Sequence, residues 1–168
     1  MTKKIWGGRF KKQTSLETEN FTSSIDIDKE LYSFDIQGSI AHVEMLYRKK
    51  IISSKEKNKI IKGLNKIMHE IEEGKFIFLS ELEDIHMNIE DALTRKVGLA
   101  GKKVHTARSR NDQVSTDTKL YINRIYKNEG ILIDPHTAVA VGVADKLSLK
   151  KNTVILSTAH PSKFSKTV

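Results

Sequence analysis

Cysteine is absent from this 168-residue chain, so it offers no disulfide framework, no thiolate metal site and no cysteine nucleophile. Long apolar runs are missing as well. No stretch approaches the roughly 20 residues that span a bilayer, and Met1–Gly8 holds no apolar signal core. A cytoplasmic protein is the resulting expectation. Arginine is scarce: of 29 basic residues only six are Arg, and the rest are Lys. The net charge of +8 raises the question of nucleic acid, but the distribution answers it. Lys55, Lys59, Lys62 and Lys66 recur at helical spacing opposite Ile60, Ile61, Leu64, Ile67, Met68 and Ile71, with no aromatic residues interleaved. That pattern is a solvated helix face, not a phosphate-binding stripe. Neither nucleic-acid nor membrane partners are expected, and the positive field serves at most to collect anionic substrates.

What is present is a mixture of 38% hydrophobic and 30% charged residues, the balance of a globular domain with one core. Up to about Ile27 no sustained period is visible, which predicts an extended arm anchored by Trp6 and Phe10. Leu31, Phe34, Gly38, Ala41, Met45 and Leu46 then keep helical spacing from Asp28 to about Lys49. Ser53–Ser54–Lys55–Glu56 is a capping-box pattern opening a second helix to Glu73, stopped by Gly74 and paired with the first as a hairpin. Ser80 and Asp84 offer caps for a third helix carrying Ile85, Ile89, Leu93 and Val97, which ends near Gly98 and Gly101. A fourth runs from about Ser109 to Asn128, with Val114, Leu120, Tyr121 and Ile125 on its apolar side. Beyond it, Ile131–Ile133 and Thr153–Leu156 read as short strands flanking a helix that Asp134 and Pro135 open.

Between the third and fourth helices lies His105–Thr106–Ala107–Arg108–Ser109–Arg110–Asn111–Asp112–Gln113–Val114. Two of the six arginines stand two apart in this run, beside a hydroxyl, an amide and a carboxylate. Arg presents a planar fork that grips a carboxylate in bidentate fashion, which Lys cannot do. Helix capping by Ser109 or Asn111 is the structural alternative. His86 and Glu90, at i and i+4, have no third ligand in register, so a hydrogen-bonded or solvated pair is expected in place of a metal site.

Thr106–Val114 resembles a signature of argininosuccinate lyase, in the fumarase and aspartase superfamily. Four further matches fall in that family's order: Ile5–Phe10, Phe21–Ile25, Asp35–Ser39 and Glu83–His86, followed by Gly101–His105 leading into the signature. The resemblance covers residues 4 to 128. It implies a mainly α fold: a helical N-terminal domain over 1–108 and, over 109–129, the start of a central-bundle helix, truncated here. Residues 130–168 instead resemble the C-terminal end of threonine synthase, through Gly130–Val139 and Thr158–Phe164, and form a short α/β tail.

The lyase resemblance implies a β-elimination that cleaves argininosuccinate to arginine and fumarate, with no metal and no organic cofactor. It places Ser24, Ser109, Arg110 and Asn111 among the substrate-binding groups, with His86, Thr106, Arg108, Asp112 and Gln113 in support. No catalytic acid or base is assigned, because the family's histidine base and flexible serine loop belong to later segments that this sequence does not contain. His136 and His160 belong to the other resemblance and are not their substitutes. The family is a homotetramer with active sites shared between subunits, so the face of the fourth helix bearing Val114, Tyr121 and Ile125 is expected to be left bare here. Two alternatives stand beside this reading: a non-catalytic helical module that associates with a complete lyase, and a threonine-synthase-type pyridoxal-phosphate enzyme. The tail shows neither the Schiff-base lysine nor the phosphate loop that the latter needs.

Overall fold

The computed structural model describes residues 15–146, 153–157, 159, 160 and 163. Trp6 and Phe10 lie outside the described residues, as does part of the Thr158–Phe164 motif. The described chain is helical: α1 (Leu16–Thr22), α2 (Ile25–Asp28), α3 (Tyr32–Arg48), α4 (Ser54–Glu72), α5 (Ile85–Val97), α6 (Leu99–Lys102), α7 (Arg110–Glu129) and α8 (Pro135–Lys146).

Local chemistry explains most of the boundaries. Ser53 and Glu56 form the reciprocal capping box that opens α4. The Asp84 carboxylate accepts the Met87 N–H at 2.7 Å and opens α5, while Ser80 sits in a single 3-10 turn before it. Gly130, at φ 69°, ends α7 in the left-handed region that glycine enters without strain. Asp134 caps α8 through the His136 and Thr137 amides. Those amides and, above all, the Thr137 hydroxyl hold its carboxyl down at about 2.

Two expectations about elements fail. The described part of the arm, from Ser15 on, is helical, because the Ser15 hydroxyl accepts the Thr18 N–H and starts α1, and α3 begins at Tyr32, later than Asp28. No strand exists among the described residues: 131–134 and 153–157 have no regular structure. Ile131, Leu132, Val154 and Leu156 stand 49 to 83% exposed, since two isolated apolar runs have no sheet to join. Among the described residues the expected α/β tail is therefore a single helix with irregular flanks.

The core is built where α3, α4 and α5 meet. Ile36, Val43 and Leu46 from α3 pack with Ile60, Leu64 and Ile67 from α4 and Ile85, Ile89 and Leu93 from α5. The α3–α4 hairpin forms as its pattern predicts, with Lys55, Lys59, Lys62 and Lys66 exposed on the outer face. Two glycines permit close approach. A Cβ on Gly63 would meet Leu93 Cδ1 at 2.7 Å, and one on Gly101 would meet the Thr94 backbone at 2.9 Å.

A second cluster docks α7. Tyr121, Ile122 and Ile125 are buried against Phe34, Ile133 and Ala138, with the Phe34 and Tyr121 rings edge to face at 5.9 Å. The expected bare face is thus covered at Tyr121 and Ile125, by the start of α3 and by the tail. Val114 is the exception and stays exposed.

Candidate functional site

The polar signature straddles a loop and a helix start, and neighbouring elements hold it. His42 on α3 donates from Nε2 to the Thr106 carbonyl at 2.8 Å, and burial keeps that imidazole below its usual pKa. Ala107 follows at φ 57°, a left-handed conformation rarely taken by residues other than glycine. Glu83, just before α5, is a second such residue at φ 66°. Its carbonyl accepts from the Ser24 and Ile25 amides at 2.8 and 3.0 Å and from the Ser23 hydroxyl, which offsets the strain. Both strained residues lie immediately before helices that carry signature residues.

Ser109 and Asp112 turn out to be the cap of α7. The Ser109 hydroxyl accepts the Asn111 N–H at 3.1 Å, and the Asp112 carboxylate accepts the Ser109 N–H at 3.2 Å. Capping and ligand binding do not exclude one another, because helix starts with capped amides still present positive potential. Asn111 is exposed. Arg110 donates from Nη1 to Gln113 Oε1 at 2.5 Å and lies 3.0 Å from Glu90 Oε1 on α5. His105 Nδ1 donates to that same Glu90 oxygen at 3.0 Å.

Behind this surface lies a buried charge cluster drawn from three helices and the loop. Gln113 Nε2 donates to Asp35 Oδ1, and His86 Nδ1 stands 3.4 Å from Asp35 Oδ1 and 3.5 Å from Asp117 Oδ2. Arg108 reaches in from the loop and donates to the Ser39 hydroxyl at 3.2 Å. Burial lowers the Arg108 pKa, and the charges of Asp35, Glu90 and Asp117 offset part of that. Burial also pulls on His86, but its hydrogen bond to Asp35 and the charges of Asp35, Asp84 and Asp117 outweigh it, so His86 is raised. Asp117 is pushed up to about 7, first by burial and then by Asp35.

Donor atoms of Asp35, His86 and Asp117 lie within 4.8 Å of one another, close enough to grip a cation. Charge balance argues against that use. Arg108 already places a cation beside Asp35 and Asp117, and a dication would add further positive charge to a desolvated site. The cluster is an ion-pair network that ties α7 to α3 and α5.

The raised values have a consequence for stability. A carboxyl whose folded pKa exceeds its unfolded value binds its proton more tightly in the folded chain. The Asp117 contribution is therefore complete in acid and is lost as pH rises from about 4 through about 7. His86, also raised, contributes fully below its unfolded value and loses that contribution as pH rises through its folded one. The unfolding free energy is expected to be greater at pH 6 than at pH 8 by about 1 kcal/mol on the Asp117 account. Urea melts at the two pH values check this, and Asp117→Asn should flatten the difference.

The proposed site residues separate in space. Arg108, Asp112 and Gln113 line a cleft of about 320 Å³ between α3 and α7 together with Gly38, His42 and Thr116; Ser109, Arg110 and Asn111 do not. The reason is helical geometry, since successive residues of α7 point about 100° apart. Ser24 opens α2 and donates to Asp28 Oδ2 at 2.6 Å, and Asp28 Oδ1 accepts the Ile85 N–H. It thus sits at the head of α5, and among the described residues no hydrogen bond or ion pair joins it to Ser109–Asn111. His136 is engaged with Asp134 in the α8 cap.

Asp117 and His42 beside the candidate site were not singled out from the sequence, and Asp35, Ser39 and Glu90 were named there without these contacts. A signal existed: each is a polar residue interrupting an otherwise buried helical stripe, with Asp35, Ser39 and His42 at i, i+4 and i+7 on α3 and Gln113, Asp117 and Tyr121 at i, i+4 and i+8 on α7.

The described residues thus form a helical domain in which α7 starts at a capped, arginine-bearing turn backed by buried carboxylates. The profile of a family described as Lyase matches residues 8–159, and the chain belongs to that family. Among curated proteins it is similar to the argininosuccinate lyase of Carboxydothermus hydrogenoformans, 55% identical over 130 residues, covering 77% of this chain and 28% of that protein. The argininosuccinate lyase of Sulfurihydrogenibium sp. is 56% identical over 120 residues, 71% of this chain and 26% of that protein. That of Saccharophagus degradans is 44% identical over 166 residues, 96% of this chain and 35% of that protein. The chain therefore spans between a quarter and about a third of these relatives' length. The family match also runs past Asn128–Gly130, where the sequence motifs place the join.

Proposed function

We propose that this chain carries the substrate-carboxylate-binding part of an argininosuccinate lyase. The supporting observation is Arg110, held by Glu90 and Gln113 at the capped start of α7, where helix potential and guanidinium together favour an anion. In the reaction, a base removes the proton beside a substrate carboxylate and charge spreads onto that carboxylate. The carbon–nitrogen bond then breaks, releasing fumarate and arginine, the departing nitrogen receiving a proton from an acid. Arg110 binds the carboxylate, Asn111, Ser109 and Ser24 supply further polar contacts, and His86 and Arg108 support the helix start from behind. The base and acid come from segments outside this sequence, in the assembled enzyme from other parts of a homotetramer.

The 168-residue chain alone is accordingly expected not to release fumarate, since losing both members of an acid–base pair costs several orders of magnitude in rate. Ultraviolet absorbance of fumarate measures this; sustained release free of contaminating lyase would overturn the assignment of roles. The second reading, a non-catalytic module that joins a complete lyase, draws on exposed Val114 and Tyr126 along α7. Mixing the chain with a lyase disabled in its own signature separates the two: fumarate release that depends on Arg110 and Asn111 favours the partner role.

For residues 130–168 the threonine-synthase resemblance rests on the two motifs. The lyase match extending to residue 159 favours instead a tail that belongs to the same family. Pyridoxal-phosphate chemistry ranks last.

A further inference from the structure

We infer that Glu90 is a positioning residue that aims the Arg110 guanidinium, an inference that rests on Arg110 being the carboxylate-binding group proposed above. Two nitrogens from different elements converge on a single oxygen of Glu90, His105 Nδ1 in a hydrogen bond and Arg110 Nη1 in an ion pair, each at 3.0 Å. The same Arg110 nitrogen donates to Gln113 Oε1 at 2.5 Å. One guanidinium nitrogen is thus held between a carboxylate on α5 and an amide on its own helix. A guanidinium is rigid and planar, so pinning one nitrogen from two directions sets the plane and presents the opposite edge of the fork to a ligand. Gln113 is itself held by Asp35, which continues the chain of contacts into the buried cluster.

Glu90 suits this task because its side chain is only 11% exposed, whereas that of Arg110 is 28% exposed. A solvated glutamate would wander between rotamers and transmit that motion to its partner. Surface ion pairs order little for this reason. Charge raises the opposing possibility that Glu90 competes with an anionic ligand for Arg110. The geometry points the other way, since Glu90 and Gln113 both use Nη1, and the Glu90 charge is shared with His105.

The test has two arms. In the first, side-chain NMR of the Arg110 Nε–H group is recorded in the full chain, in Glu90→Asp and in Glu90→Gln. Aspartate is one methylene too short to reach, so its Arg110 order parameter is expected to fall from the rigid range to below about 0.6. Glutamine keeps an acceptor and should retain most of the order. Unchanged Arg110 order in Glu90→Asp, with the backbone amide spectrum preserved, overturns the inference whatever the chain binds. A merely structural glutamate would change the melting point without mobilising Arg110.

In the second arm fumarate is titrated onto each form. Glu90→Asp is expected to bind it about tenfold more weakly, because the arginine must now be ordered on binding. Tighter binding by Glu90→Gln would show that Glu90 competes and would also overturn the proposal. Absence of fumarate binding by the parent chain itself counts against the substrate assignment, while the first arm still decides the role of Glu90.

Discussion

Asp35→Ala is expected to lower the unfolding free energy by about 3–5 kcal/mol, the usual consequence of removing one partner from a buried charge network. Asp35 is 1% exposed, accepts from Gln113 and faces His86. Its loss leaves the His86 imidazole, the Gln113 amide and the Arg108 guanidinium without their shared carboxylate. A domain of this size has only about 5–15 kcal/mol in hand, so much of its stability would go. Asp35→Asn keeps an oxygen for Gln113 and is expected to lose less than half as much. Urea midpoints, with the slope of the transition unchanged, measure both. An Asp35→Ala chain within about 0.5 kcal/mol of the parent would show that apolar contacts alone hold α7 in place.

Gly101→Ala is expected to destabilise by about 3 kcal/mol, at the upper end of what overpacking a core produces. The added methyl would sit 2.9 Å from the backbone of Thr94 and 3.0 Å from that of Leu93, inside α5. Helical backbone cannot step aside without breaking its own hydrogen bonds. Gly63→Ala provides the control: its methyl meets Leu93 Cδ1 and Val97 Cγ1, the ends of side chains that can change rotamer. It should therefore cost less, although its contacts are as short. If the two substitutions prove equal, the yielding of side chains against backbone is not what sets the penalty.

How far these features could be read beforehand depended on the range of the interactions behind them. The capping box at Ser53 and Glu56, the Asp84 and Asp134 caps and the stops at Gly74 and Gly98 all act within four residues, and α7 keeps its helical period, so α4, α5, α7 and α8 were legible in the sequence alone. The lysine face of α4 and the α3–α4 pairing followed from periodicity. The family, too, was legible, because its motifs are local strings in a particular order.

Periodicity failed where an element needed a partner. The apolar runs 131–133 and 153–156 carry strand-prone residues, but a strand exists only by pairing, and among the described residues there is no sheet to receive them. α1 was missed because seven residues are too few to show a period. Within the candidate site, chain order identified Arg108–Gln113 but not which way each side chain turns. Arg108 reaches toward α3 from the loop, while the turn of α7 sends Asp112 and Gln113 toward α3 and Arg110 toward Glu90 on α5. Asp35, His86 and Asp117 stand on three helices, so their meeting was decided by packing, which also sets their burial and hence the raised values of His86 and Asp117. By itself the sequence determined α4, α5, α7 and α8, most of their caps and the family, since those rest on neighbours along the chain. Only the tertiary structure decided that Glu90 meets Arg110 and that a buried cluster of charged groups backs it, because those contacts join residues tens of positions apart.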